Sequence, residues 1–266
     1  MDIDLKSRLE SIFPIVRQAS ALALSHFGKV SPHNKPDGSV VTEADALTER
    51  LIVEGLQTRF PDETIIGEEL GQSQGISNCV WSIDPIDGTA AYSSRLPFWC
   101  VSIGLLVEHQ PVLGIISLPA LQETYYAYQG GGAYMVSERW GKERLQIPAG
   151  EGPADLHRNS QICVPSKFSR RFYLDFIGKQ RSFGSTAIHA LLVARHDAAA
   201  AIMRPYQWDI AGAAAILREA GGTMAALDGT PVDIQNLLPP DSGNPDLILG
   251  TPQIIDYLRQ RIHPRI

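Results

Sequence analysis

An aspartate-proline pair ends an apolar run abruptly near residue 84, and this junction constrains the fold and chemistry of the chain more than any other feature. Residues 80–83 have the length and apolarity of a buried strand and stop at Asp84-Pro85. Pro85 fixes its own φ and biases Asp84 toward extended backbone, so the chain bends and Asp87 returns to the side of Asp84. Two carboxylates then share a small volume at a strand end. They must take up a proton or acquire a cation, and a hard divalent ion such as Mg²⁺ resolves the conflict. Gly88-Thr89 leads at once into a helix start at Ala90-Ala91-Tyr92, whose free N–H groups suit an anion. Asp-Pro and Asp-Gly are also ordinary turn dipeptides, so the spacing alone leaves a plain turn open.

Composition narrows the setting. A chain of 266 residues with 44% apolar and 20% charged residues is globular and long enough for one large domain or two that share a core. With a net charge of −6 and no conspicuous Lys/Arg cluster, nucleic acid and anionic membranes are not expected partners. Asp2, Asp4, Lys6, Arg8 and Glu10 interrupt the apolar amino end, against a signal peptide or membrane span. Cys79, Cys100 and Cys163 are widely spaced, which suits a reducing, cytoplasmic location, and the histidines lack zinc spacing.

Along the chain, apolar spacing predicts a first helix ending near Gly28. A second helix opens at a Thr42/Asp45 capping box, with Leu47, Leu51, Gly55 and Leu56 inward. Asp45 is then a capping residue on helix physics alone. Residues 64–66 form a strand that delivers Glu68 to its end, and if that strand neighbours the one ending at Asp84, Glu68 faces the same crevice. Residues 99–118 and 124–136 read as two hairpins, the second turning at Gly130-Gly131-Gly132. The polar stretch 149–159 marks a boundary between an amino-terminal α+β domain, 1–150, and a carboxy-terminal α/β domain, 151–266. The second half alternates strand and helix: a strand at 161–164, helices at 172–177 and from Gly184-Ser185-Thr186 to Arg195, and a strand at 198–203. A helix capped by Asp209, a strand at 247–250 and a closing helix at 254–258 follow.

The nine residues Trp81-Ser82-Ile83-Asp84-Pro85-Ile86-Asp87-Gly88-Thr89 resemble the first signature of the inositol monophosphatase family. Trp208-Asp209-Ile210-Ala211-Gly212 with Glu219-Ala220-Gly221-Gly222 resembles the second. Val41-Thr42-Glu43-Ala44-Asp45 and Gly67-Glu68-Glu69 lie upstream in the order the family shows. The resemblance implies a mixed α/β fold, the layered α-β-α-β-α sandwich of the inositol monophosphatase and fructose-1,6-bisphosphatase type. It implies two to three Mg²⁺ ions: Glu68, Asp84 and the Ile86 carbonyl on one, Asp84, Asp87 and Asp209 on a second, and a third beside Glu68. Thr89, polarised by Asp45, would join Glu68 in orienting the attacking water, and the Gly88 and Thr89 N–H groups would grip the phosphate. Asp87, Asp209 and Gly184-Ser185-Thr186 would border the substrate.

The implied reaction is direct in-line attack of water on a phosphate monoester, without a phosphoenzyme, on an inositol-1-phosphate-like substrate and with Li⁺ sensitivity. Family members acting on inositol phosphates carry an acidic residue shortly before the second signature, whereas residues 202–207 here contain none. Arg204 instead offers a guanidinium for a second phosphate or a surface charge. Histidinol phosphate, fructose 1,6-bisphosphate and 3′(2′),5′-bisphosphate nucleotides therefore stay open as substrates. A non-catalytic binding protein on the same fold is the rival class, and a homodimer is the expected assembly.

Overall fold

A computed structural model describes residues 3–36, 38–237 and 243–265; Asp2 lies outside them. Helix α1 (Leu5–His26), the ribbon β1 (His33–Asn34) and β2 (Val40–Val41), and helix α2 (Glu43–Arg59) come first. Strands β3 (Thr64–Gly67), β4 (Gly71–Ser73) and β5 (Cys79–Asp87), the short helix α3 (Thr89–Ser93), then β6 (Cys100–Val107), β7 (Gln110–Leu118), β8 (Glu123–Tyr128), β9 (Gly132–Ser137) and β10 (Gly141–Leu145) follow. The rest is β11 (Gln161–Cys163), α4 (Phe168–Arg171), β12 (Phe172–Leu174), β13 (Lys179–Arg181), α5 (Thr186–Ala194), β14 (Ala200–Met203), α6 (Gln207–Glu219), β15 (Thr223–Ala226), β16 (Leu247–Gly250), α7 (Pro252–Arg259) and β17 (Ile262–Pro264).

The strands form an eight-stranded sheet in the order β10-β9-β8-β7-β6-β5-β3-β4 and a five-stranded sheet in the order β13-β11-β14-β16-β15. Alternation along β5 sorts its side chains. Cys79, Trp81 and Ile83 join α1 and α2 in one apolar core, while Val80 joins the core built with α5 and α6. The second sheet covers the other side of α5 and α6 through Ala201, Met203, Leu247 and Leu249, and its outer face packs on α4 and α7 through Ile202, Ile248, Phe168 and Ile254. The result is helix, sheet, helix, sheet, helix, the layered α-β-α-β-α sandwich expected from the sequence.

Helix α6 lies unusually close to the first sheet. It is buried nearly all round, and Gly212 meets Gly104 of β6 and Gly114 of β7 backbone to backbone. A Cβ on Gly104 or Gly114 would overlap the α6 backbone, so glycine is required there by space. The far end is fixed too: the Glu219 carboxylate accepts the Gly130 and Gly132 N–H groups at 2.9 and 2.7 Å, which makes the triple glycine a hairpin turn tied to α6.

Two local expectations are corrected, and the second sheet has a direction the alternation of elements left open. Residues 172–174 are a strand, not the start of a helix, because Phe172, Tyr173 and Leu174 pair antiparallel with Ile262–Pro264. Helix α2 buries Ala44, Thr48, Ile52 and Leu56, and Leu47 is exposed, so its inner stripe is rotated from the one expected. The second sheet is mixed: β11 runs parallel to β13 and β14, but β16 is antiparallel to β14 and β15.

Candidate active site

The site forms where β3 and β5 end side by side. They are parallel neighbours, with Gly67 opposite Ile83, so Glu68 and Asp84 leave the sheet together. Asp84 and Asp87 are three residues apart and would lie on opposite faces of a regular strand. The pairing with β6 moves only from Ser102 to Cys100 over the same interval, so one residue bulges out and both carboxylates reach the same side. The Asp84 carboxylate accepts the Ile86 N–H at 3.0 Å, closing the turn that Pro85 begins.

Helix α6 brings the third carboxylate. Asp209 sits one turn before Gly212 on the sheet-facing side, and its Oδ2 accepts the Tyr206 N–H at 3.0 Å. It therefore occupies the third helical position rather than the N-cap, which is Tyr206. Asp84, Asp87 and Asp209 offer carboxylate oxygens that all lie within 4.8 Å of one another, the one such cluster of acids among the described residues. Burial pushes Asp84 well above the usual carboxylate range, and Glu68, Asp87 and Asp209 push it further. Burial and then the Asp87 charge do the same to Asp209.

Asp87 is raised by burial as well, but four donors oppose the rise, the weakest being the Cys100 thiol at 3.8 Å. Its Oδ2 accepts the Ser185 hydroxyl at 2.6 Å and the Ala187 N–H at 2.5 Å, and its Oδ1 accepts the Thr186 N–H at 3.1 Å. Asp87 thus docks α5 as well as contributing to the cluster, and the buried Ser185 hydroxyl is engaged with a carboxylate rather than open to a substrate. Gly184 and Thr186 line a cavity immediately beyond it.

Glu68 lies outside the three-aspartate cluster, although its charge is felt at Asp84. Its Oε1 accepts from Lys35 Nζ at 2.9 Å, and burial outweighs that lysine to push the carboxyl up to about 7. Thr89 Oγ1 lies 3.1 Å from Asp45 Oδ1 and 3.0 Å from the Ile86 carbonyl. The other Asp45 oxygen accepts the Thr42 N–H and hydroxyl at 2.8 and 2.6 Å, so Asp45 caps α2 and holds Thr89 at once. Arg204 is on the rim, 3.4 Å from Asp246.

Two neighbours went unread in the sequence. Glu49, fully buried, accepts the N–H groups of Glu69 and Leu70 at 2.9 Å each and so holds the turn that carries Glu68. Gly67 is the residue that leaves room for it. Its signal was available: Asp45 and Glu49 are four apart and fall on one helical stripe with the buried Ala44, Thr48 and Ile52. Lys35, in the ribbon region before α2, had no comparable signal.

The chemistry of the donor set fits a hard divalent cation. Every polarising group in the cluster is a carboxylate oxygen, burial makes bare charge there costly, and Lys35 is engaged with Glu68 and Glu69 rather than with the three aspartates.

Comparison with known proteins gives a consistent result. The model for the inositol monophosphatase family matches residues 4–258. A Thermotoga maritima protein named fructose-1,6-bisphosphatase/inositol-1-monophosphatase is 33% identical over 236 residues, covering 84% of this chain and 86% of that one. A Chlorobaculum parvum histidinol-phosphatase is also 33% identical, covering 84% and 85%. Among solved structures, a Thermotoga maritima IMPase superposes with a TM-score of 0.79 at 27% identity, covering 96% of each chain.

Proposed function

The chain belongs to the inositol monophosphatase family, a family of phosphatases, and from that premise we propose that it is a Mg²⁺-dependent phosphomonoesterase acting on a small phosphorylated metabolite, with inositol 1-phosphate as the reference ester. The observation that carries this reading is the meeting of three aspartates, two buried at a β5 bulge and one half-buried on α6, within 4.8 Å.

Asp84, Asp87 and Asp209 would hold Mg²⁺, with Glu68 and the Ile86 carbonyl completing the set. When bound, the cation supplies Lewis-acid charge for the phosphoryl oxygens. The chain's own residues do the rest. Asp45 draws the Thr89 hydroxyl proton toward itself, which leaves the Thr89 oxygen lone pair able to accept a hydrogen bond from a water aligned for in-line attack. Glu68 keeps Oε2 for the same water, since Lys35 contacts Oε1. The N–H groups of Gly88 and Thr89 would bind the phosphate, and Gly184 and Thr186 would border the leaving alcohol. Inhibition by Li⁺, a homodimeric assembly and a cytoplasmic location belong to the same proposal; among the described residues no helix is long and apolar enough to cross a membrane.

A second reading has its own support. Residues 202–207 hold no carboxylate to meet a ring hydroxyl, and relatives of similar identity are named for inositol, fructose-bisphosphate and histidinol-phosphate substrates. The test is a panel at fixed Mg²⁺: inositol 1-phosphate, fructose 1,6-bisphosphate, histidinol phosphate and adenosine 3′,5′-bisphosphate. Hydrolysis of small monoesters in Mg²⁺, abolished by EDTA, is the expected result. Absence of phosphate release from all four would overturn the proposal.

A further inference from the structure

A cavity of about 220 Å³ opens beside Gly184, Ser185 and Thr186, of which Ser185 and Thr186 also donate to the Asp87 carboxylate. Its far wall gathers residues scattered in the sequence: Lys167 at the start of α4, Arg171 at its end, Arg204 after β14, and Asp246 before β16. Three cations thus face one carboxylate in a chain whose overall charge is −6. The remaining titratable group of the wall, His189, adds no charge at neutral pH, because burial pushes it down to about 4 and its Nε2 accepts the Phe183 N–H at 2.9 Å.

The cations are not equivalent. Arg171 is fixed: it forks onto both Asp246 oxygens, at 2.9 and 2.5 Å, and lies over the Phe172 ring. Arg204 gives Asp246 one long contact of 3.4 Å and keeps its other N–H groups, and it is about half exposed. Lys167 has no carboxylate within 4.0 Å among the described residues. Asp246 therefore satisfies Arg171 and steadies Arg204, leaving Lys167 and the rest of Arg204 uncompensated at the end of a cavity that begins beside the candidate metal cluster.

We propose that this cavity is a subsite for a second anionic group, phosphate or carboxylate, carried by the leaving alcohol, with Lys167 and Arg204 as the specificity-determining side chains. The inference rests on the phosphomonoesterase reading and names its substrate class. An ester anionic at both ends would meet the metal cluster with one end and the two cations with the other. A leaving group bearing an ammonium, as histidinol does, would meet them with the wrong sign.

The test uses matched pairs in Mg²⁺: fructose 1,6-bisphosphate against fructose 1-phosphate, and 3-phosphoglycerate against glycerol 3-phosphate, with histidinol phosphate as the cationic comparison. A kcat/KM advantage of about ten-fold or more is expected for the anionic member of at least one pair, the pair identifying phosphate or carboxylate as the preferred group. Histidinol phosphate should rank below both favoured esters. In the double variant Lys167→Gln/Arg204→Gln that advantage should collapse toward unity. Equal kcat/KM within both pairs, preference for histidinol phosphate, or an advantage that survives the double variant would overturn the subsite while leaving the phosphatase reading intact. Absence of hydrolysis of every ester would overturn both.

Discussion

Asp84 illustrates how one residue can cost stability and supply function. It is 2% exposed, feels four other acids, Glu68, Asp87, Asp209 and Asp45, and has no cationic partner among the described residues. Replacing it with Asn removes a buried like charge while preserving shape. In EDTA, Asp84→Asn should therefore be more stable than the parent, by roughly 2–4 °C in Tm for each kcal/mol of repulsion relieved. In Mg²⁺ it should lose hydrolysis by about 100-fold or more. Thermal melts and phosphate release on the same preparations check both signs. At this scale the sequence was legible where a residue's local geometry announces it: Asp84-Pro85 ends a strand, and Thr42 with Asp45 makes a capping box that the structure contains. It was not legible where a side chain acts on a distant segment. Ser185 reads as a helix start, which it is, but its hydroxyl is turned to Asp87 across 98 positions of sequence.

At the scale of elements, the site depends on where α6 and the β3 end are held. Gly114 and Gly212 touch backbone to backbone, so Gly114→Ala must push α6 off the sheet or strain it. Destabilisation of about 2–3 kcal/mol is expected, with a rise in the Mg²⁺ concentration needed for activity because Asp209 rides on the displaced helix. Denaturant unfolding and a Mg²⁺ titration measure the two effects. Glu49→Gln is subtler. Its amide nitrogen must face one of the two N–H groups that the carboxylate now accepts, loosening the Glu68 turn. A several-fold higher Mg²⁺ requirement with kcat near the parent value at saturating Mg²⁺ is the expected readout. Long periodic helices and both hairpins were readable from pattern alone, since burial dictates their spacing. Residues 172–174 were misread because a three-residue strand has no period to detect and is decided by a partner at 262–264.

For the whole molecule, the acids of the site link stability to pH and metal. Glu68 has a folded value of about 7 against an ordinary 4.5, so the folded state binds that proton more tightly than the unfolded one. Its contribution is fully present below pH 4.5 and is lost as pH rises to 7; the raised Asp84 and Asp209 act in the same direction. His189 has the opposite sign, since its folded value is lowered from 6.5 to about 4 and its contribution is lost as pH falls through that window. Comparing melts in Mg²⁺ and in EDTA at each pH cancels His189 and isolates the acids. The rise in Tm produced by Mg²⁺ should be larger at pH 8 than at pH 5. The layered architecture follows from element order and apolar faces. What the chain alone could not disclose is the second cluster of charge, because Lys167, Arg204 and Asp246 meet only after the second sheet has closed over α5 and α6.

The central claim is that carboxylates from β5 and α6 form one cation site that serves phosphate-ester hydrolysis. It is tested most directly by p-nitrophenyl phosphate hydrolysis with parent protein and Asp209→Asn, each dialysed against EDTA and titrated with Mg²⁺. The account predicts no release without Mg²⁺, saturable release by the parent, and at least about 100-fold less by a folded Asp209→Asn. Release that ignores Mg²⁺, or that survives intact in Asp209→Asn, would contradict it.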